Sequence, residues 1–506
     1  MNDSAQKLVR GLGLVDATMI VVGSMIGSGI FLTSAASARF VGAPGWLLVA
    51  WALSGALTIM GALCCAELAT MMPRAGGQYV FLREAYSPLV GFLFGWSLFL
   101  VIQTGTIAAV ALGFAKFMGV LAPQISSTSY LIAPIPLGGG YALSLSTQQT
   151  VAIFIILLLT VTNTRGLKTG KLIQNTFTFT KTVALAGLII LGLTLGWSKG
   201  QGVGAVWTSR WWDSWANGWT PQSAQADIAV VGGLALVMLL GRAMVGPLFA
   251  QSAWNNVTFT GSEVREPGRN LPRALLTGCG IVVALYLLAN LAYVVTLPLA
   301  SIQSAPESRV ATAAMQAILG APGTVIMAVA IMISTFGCNN GLILAGARVY
   351  YAMARDRLFF KRAGSINSFH APAVALIAQG IWASLLVLPR TAKTTPLRLG
   401  EDPYSDIYTQ LLEYIVSADL IFYALMVGAV IVMRSKAPAV ERPYRTLGFP
   451  FVPLLYILIA LLLVVDLAYL TPWTSGIGYL IVLTGIPVYL IWQRNAAPRS
   501  ALETET

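Results

Sequence analysis

Ionisable side chains are scarce in this chain. Only 10% of its 506 residues are Asp, Glu, Lys or Arg, against roughly 25% in soluble globular domains, so water is not its main solvent. Histidine occurs once, at His370, and no GxSxG elbow, HExxH pair or couple of mid-membrane carboxylates accompanies it. An intramembrane enzyme with Ser24 or Ser28 as nucleophile therefore has no base to activate it. The four cysteines, Cys64, Cys65, Cys279 and Cys338, stand in neither CxxC nor metal-ligand spacing. That argues against a disulfide framework and a zinc site, and no metal or cofactor is expected. Gly166-x-x-x-Gly170-Lys171 is one residue short of a phosphate loop and lacks the following Ser or Thr, so nucleotide-driven pumping has no support. No small-residue cleavage site follows a short apolar core near the start, and no removable signal peptide is expected.

What the chain has is apolar length. Hydrophobic residues make up 57% of it, and the mean hydropathy is +0.76. Apolar runs of about the 20 residues that cross some 30 Å of hydrocarbon as a helix recur throughout. They predict twelve spans, over 13–41, 44–72, 89–120, 147–164, 172–197, 226–259, 273–299, 320–354, 371–390, 408–434, 449–470 and 473–494. The connections between them are short, so the whole chain is read as one membrane domain. The Trp-rich stretch Trp207, Trp211, Trp212, Trp215 and Trp219 between spans five and six reads as an interfacial cap.

A net charge of +12 suggests nucleic acid in a soluble protein; here its placement points to a bilayer. With the N-terminus inside, most of the 31 basic residues fall in cytoplasmic segments or at the inner ends of spans and few on the outer side, while Lys116, Lys181 and Arg242 lie within spans. This is the positive-inside pattern of a multi-pass protein of the cell's inner (plasma) membrane with both termini cytoplasmic. Membrane lipid, not nucleic acid, is the expected surrounding.

Spans one and six carry small and polar residues near mid-membrane: Gly23-Ser24-Met25-Ile26-Gly27-Ser28-Gly29-Ile30-Phe31 and Gly246-Pro247-Leu248-Phe249-Ala250-Gln251-Ser252-Ala253-Trp254-Asn255-Asn256. Small-xxx-small helix packing, as at Gly91 and Gly95, is one reading of such glycines. The other is a pair of broken helices in corresponding positions of two inverted five-helix halves, the pattern of a transporter's binding site. Breaks free amides at the start of the outgoing half-helix and carbonyls at the end of the incoming one. Amides at Gly27, Ser28 and Gly29, with the Ser28 hydroxyl, suit a carboxylate, while carbonyls of Met25 and of Phe249, Ala250, Gln251 and Ser252 suit an ammonium. A zwitterion such as an amino acid fits both. Lys181, about nine residues into span five, lies too deep to snorkel easily and should face the interior, where a fixed cation can replace a coupling metal ion. Snorkelling is its alternative. Glu67, near the inner end of span two, is read as part of an inner ion pair or as a solvated helix end.

These segments resemble the amino acid–polyamine–organocation superfamily, and within it the L-type amino-acid transporters and their bacterial homologues. The resemblance rests on Gly23 to Phe31, on Glu67-Leu68 with Pro73 to Tyr79, and on Trp254-Asn255-Asn256 leading to Glu263 to Pro272. Ser334 to Gly337, Arg348 with Tyr350-Tyr351, and Gly476 to Gly478 with Pro487 to Tyr489 extend it to the C-terminus. It implies an all-α integral membrane fold of twelve transmembrane helices, the LeuT-type 5+5 inverted repeat with discontinuous helices 1 and 6. Residues 13–197 would form the first repeat, 226–434 the second, and 449–494 two peripheral helices. It implies alternating access, a substrate carboxylate at Ser28 and Gly29, an amino group at the carbonyls of Met25, Phe249 and Ser252, and Phe249 as an outer gate. It also sets Lys181, with Ser334 and Thr335 beside it, where relatives bind sodium. The expected activity is secondary active, sodium-independent exchange or proton-coupled uptake of neutral amino acids, and a solute sensor that binds without transporting is the alternative.

Three departures from that family bear on the site. Ser252 and Ala253 stand where the L-type group usually has glycine, and side chains there should narrow the pocket. No cysteine lies between spans three and four, so no disulfide-linked heavy subunit is expected. Arg242 interrupts a stretch that is normally uncharged. It lies eight residues before Ala250, about 12 Å outward of the break, and seven before Phe249, on the same helical face. It should line the outer vestibule and join the outer gate, with Glu413 of span ten or Asp419 as its partner, or water at a deeper outer mouth.

Overall fold

The computed structural model of the protein describes residues 11–165, 167–197, 209–225, 228–392 and 403–496. Gly166 and Trp207, and both chain ends, lie outside the described residues. Among those residues the chain is a multi-spanning bundle of helices. Nine helices are long and apolar enough to cross a membrane, and a tenth span is formed by α1 (Leu14–Met25) and α2 (Gly29–Val41), bent by 40° at their junction. The others are α3 (Pro44–Met71), α4 (Pro88–Leu121), α5 (Thr147–Asn163), α6 (Leu167–Leu191), α7 (Gly232–Ala243) running into α8 (Val245–Ala250), α9 (Pro267–Thr296), α10 (Ala321–Arg355), α11 (Ala373–Leu386), α12 (Ile407–Lys436), α13 (Phe451–Leu470) and α14 (Pro472–Ala496). At 17 and 14 residues, α5 and α11 are apolar but shorter than the rest.

Local chemistry sets the helix ends. Pro44 and Pro88 open α3 and α4 where their missing N–H is not needed. Ser146 and Gln149 cap α5 reciprocally, the Ser146 hydroxyl accepting from the Gln149 amide and the Gln149 side chain accepting from the Ser146 amide. Asp406 caps α12, accepting from the Thr409 amide. Gly42 ends α2 at φ +66° with the Trp219 indole packed directly on it, so that loop Trp closes over the helix end.

Burial sorts the helices. The α4 span is 83% buried and the α12 span 72%, whereas α13 and α14 are 28% buried and present rows of exposed Leu and Ile to the surroundings. The first two belong to the centre of the bundle and the last two to its rim. One element was not foreseen: a three-stranded antiparallel sheet, β1 (Tyr130–Gly138), β2 (Tyr141–Ser146) and β3 (Pro389–Thr391), caps one end of the bundle. Gly138, Gly139 and Gly140, all at positive φ, turn its hairpin. This is called the sheet end below.

Candidate functional site

The first break spans Ile26, Gly27 and Ser28, between the end of α1 and the start of α2. With helical donors gone, the α1 carbonyls meet side chains from other helices. Gly23 and Ile26 accept from Lys181 Nζ, the latter at 2.7 Å. Ile26 also accepts from Ser334 Oγ at 3.3 Å, Ser24 from the Cys338 thiol at 3.2 Å and Met25 from the Tyr286 hydroxyl at 2.9 Å. Thus the Met25 carbonyl expected to face a ligand already has one partner, and a second donor would use its remaining lone pair. Ser28 Oγ lies 3.0 Å from the Tyr408 hydroxyl of α12. Neither tyrosine was foreseen, since nothing in the local spacing of either announces a partner hundreds of positions away.

Lys181 is 1% exposed. Its ammonium sits at the carbonyl end of α1, where the partial negative charge of a helix terminus concentrates. Thr335 does not join it; its hydroxyl donates to Ile331 of its own helix.

The second break follows Ala250, where residues 251–255 leave the helix and only one turn, Asn256–Phe259, resumes it. The sixth segment, expected over 226–259, is thus helical up to Ala250 and again only over Asn256–Phe259. The Phe249 carbonyl accepts from both the amide and the hydroxyl of Ser252, at 3.1 and 2.7 Å. The hydroxyl that sequence placed in the pocket thus closes its own turn. Thr58 donates to the Gln251 carbonyl at 3.4 Å, and Asn255 links to Gln78 and Tyr423. Ala253 holds φ +64°, a left-handed conformation that an L-residue adopts at a cost of about 1–2 kcal/mol and glycine freely.

The two breaks touch. A Cβ built on Gly29 would lie 2.5 Å from Ala250 Cβ, and one on Gly246 would lie 2.5 Å from Thr33 Cβ. Gly29 with Thr33 and Gly246 with Ala250 are each four apart, so α2 and α8 meet along facing i, i+4 rows. On its other sides the first break is sealed by Gly113, against Ser28, and by Cys338, against Gly27.

Toward the sheet end, Phe249 meets the Tyr408 ring edge to face at 6.1 Å. Beyond it lies a small pocket lined by Leu32, Thr33, Ala36, Tyr408 and two ion pairs. In one, Arg242 Nη2 is 3.0 Å from Glu413 Oε1, the guanidinium also donating to Gln225 at 2.7 Å and lying over Phe40 at 4.6 Å. In the other, Lys116 Nζ is 2.8 Å from Asp406. Burial pushes the Asp406 carboxyl up, but 39% of its side chain stays open, and Lys116 and Thr409 hold it below the usual carboxylate range. A second small pocket flanks the second break, lined in part by Gln251, Ser252, Trp254 and Asp419.

The opposite end is also closed by charge. Glu67, 1% exposed, accepts from Arg434 at 2.9 and 2.7 Å and from the Thr446 amide at 2.7 Å, with Arg442 at 3.4 Å. Glu263 pairs with Arg348, and Arg83 with Asp356. All four cysteines are buried and free. Among the described residues no three His, Cys, Asp or Glu gather as a metal site.

The chain matches the family described as amino acid permease over residues 12–491. It is 32% identical over 497 residues to the large neutral amino acids transporter small subunit 2 of Homo sapiens, covering 96% of this chain and 82% of that protein. It is 30% identical over 500 residues to the serine/threonine exchanger SteT of Bacillus subtilis, covering 98% and 100%. With the b(0,+)-type amino acid transporter 1 of Homo sapiens it shares 30% identity over 494 residues, covering 96% and 88%.

Proposed function

The chain belongs to the amino acid permease family and is a secondary active amino-acid transporter, and we propose that it works by alternating access around its two breaks. The observation that carries this reading is the direct contact of α2 with α8, Gly29 on Ala250, between two sets of closed ion pairs. The bundle is then in a sealed state, and the substrate's room opens when the breaks part. The carboxylate binds at the amides of Gly27, Ser28 and Gly29, and the ammonium at the carbonyls of Met25 and of Phe249, Ala250, Gln251 and Ser252. Tyr286 and Tyr408 hold Met25 and Ser28 in place until the ligand displaces or shares their bonds.

In this reading α5 and α11 are the fourth and ninth of twelve spans, 13–197 and 226–434 are inverted repeats, and 449–494 is peripheral. The sheet end faces outward and both termini face the cytoplasm of an inner-membrane protein. Phe249, Arg242 and Glu413 form the outer gate, and Lys181 with Ser334 occupies the place of a coupling cation. Transport is then sodium-independent, by exchange or proton coupling, and neutral amino acids are the substrates. Uptake screened across the amino acids in proteoliposomes tests this, with Ser28→Pro and Gly29→Leu as controls. Undiminished uptake by both variants would overturn the site; binding without flux under any ionic condition would overturn transport.

A further inference from the structure

The outer-gate pair has an odd neighbour. Gly241, beside Arg242, has no Cβ, and the space one would take is filled by Asp466 Oδ2 from α13. That oxygen is enclosed and has no hydrogen-bond partner, and the same holds for Arg242 Nε. Glu413, by contrast, is satisfied on both oxygens: Oε1 accepts from Arg242 and Oε2 from the Thr474 hydroxyl at 2.9 Å.

The helices packed on α13 show what else faces Asp466. Helix α7 offers Arg242 alone. Helix α12 offers Glu413, Tyr414, whose hydroxyl is 3.2 Å from that of Tyr141, and, deeper, Asp419. Helix α14 offers Tyr479, which donates to the Val464 carbonyl at 2.9 Å. Helix α3 offers nothing ionisable in this half, since Cys64, Cys65 and Glu67 lie at its far end. One guanidinium therefore serves two carboxylates in a water-poor setting, and one negative charge is left over. The leftover falls on the carboxylate with the unbonded oxygen.

We propose that Asp466, Arg242 and Glu413 form a proton-binding site that sets the opening of the outer gate, with Asp466 taking the proton. The proposal deepens the gate reading and rests on it. Water in the pocket beyond Phe249 reaches Arg242 and Glu413, which form part of its wall, and Asp466 lies next to them against Gly241. With Asp466 protonated, Glu413 is the only anion and keeps Arg242, and the gate is shut. When Asp466 releases the proton to water, its carboxylate competes for the guanidinium, the Arg242–Glu413 bond weakens, and α7 can part from α12. No other reactant is needed.

The test uses the full-length protein in proteoliposomes with a thiol on the pocket wall, Ala36→Cys. The native cysteines are buried, so a membrane-impermeant maleimide reports the new thiol. Labelling should quicken about fivefold as outer pH is raised from about 5 to about 8, the change expected for weakening one partly exposed ion pair. In Asp466→Asn it should stay slow at every pH, in Asp466→Glu the pH dependence should return, and in Glu413→Gln labelling should be fast throughout. A flat profile in the Ala36→Cys protein, or an unchanged one in Asp466→Asn, would overturn the proposal. Thermal stability equal to the parent's in Asp466→Glu guards against misfolding. Amino-acid uptake, read separately, tests the transport reading without touching the labelling result.

Discussion

Substituting Gly29 by Ala puts a wedge between the two breaks. The new Cβ would lie 2.5 Å from Ala250 Cβ and 2.8 Å from Ala250 Cα, where ordinary contact begins at 3.4 Å. Half of that clash is with backbone, so a rotamer change cannot relieve it, and α2 and α8 must separate by about 1 Å. The separation also loosens the approach of Thr33 to Gly246 and strains the 3.0 Å bond from Ser28 to Tyr408. Overpacking of this kind costs about 1–3 kcal/mol, which lowers the population of the sealed state roughly 5- to 150-fold relative to states with the breaks apart. If every transport cycle passes through the sealed state, initial uptake rates should fall within that range. The control is Gly187→Ala, where the added Cβ meets nothing within 4 Å. A Gly29→Ala protein that is folded, and transports within about twofold of the parent, would refute the reasoning that this contact lies on the transport path.

Three further outcomes follow from other contacts of the site. Lys181→Met removes the donor to the Gly23 and Ile26 carbonyls, leaving the buried Gly23 acceptor without the ammonium and Ile26 with Ser334 alone, at a cost of about 1–3 kcal/mol; the melting temperature should drop and uptake should fall at least tenfold. Uptake by the unaltered protein should persist when sodium is replaced by choline at constant pH, and flux that vanishes would remove Lys181 from its assigned role. Asp406 titrates below the usual carboxylate range, so the Lys116–Asp406 pair contributes fully above the unfolded value of about 4 and is lost only as pH falls through the lower folded value. Asp406→Asn should therefore lower stability equally at about pH 5 and pH 8; a loss confined to one of these would contradict that sign.

The sequence by itself determined the solvent and that long apolar segments recur along the whole chain. Hydrophobic partition is a local quantity, summed over about 20 neighbouring residues, so composition alone carries it. The same holds for the clustered Gly, Ser, Gln and Asn that interrupt spans one and six, and for the demand that a deep Lys181 find partners. Arg242 and Glu413, both about eight residues outward of mid-span, could be set at one depth from helical rise alone, and the structure places them at 3.0 Å. Partner identity was another matter. Tyr286 reaches Met25 across 261 positions and Tyr408 reaches Ser28 across 380, and no local period encodes such pairs. The sheet escaped because β1 mixes Pro134, Pro136 and exposed apolar residues without the alternation of a half-buried strand. Nothing local marks Asp466, and only the fold lays it against Gly241 on another helix. Depth along a membrane normal can be counted from residue numbers, whereas the rotation and lateral order of the helices are fixed only by packing. That is why residue counting could set Arg242 and Glu413 at one depth, while only the fold shows Met25 and Ser28 bonded to side chains of other helices.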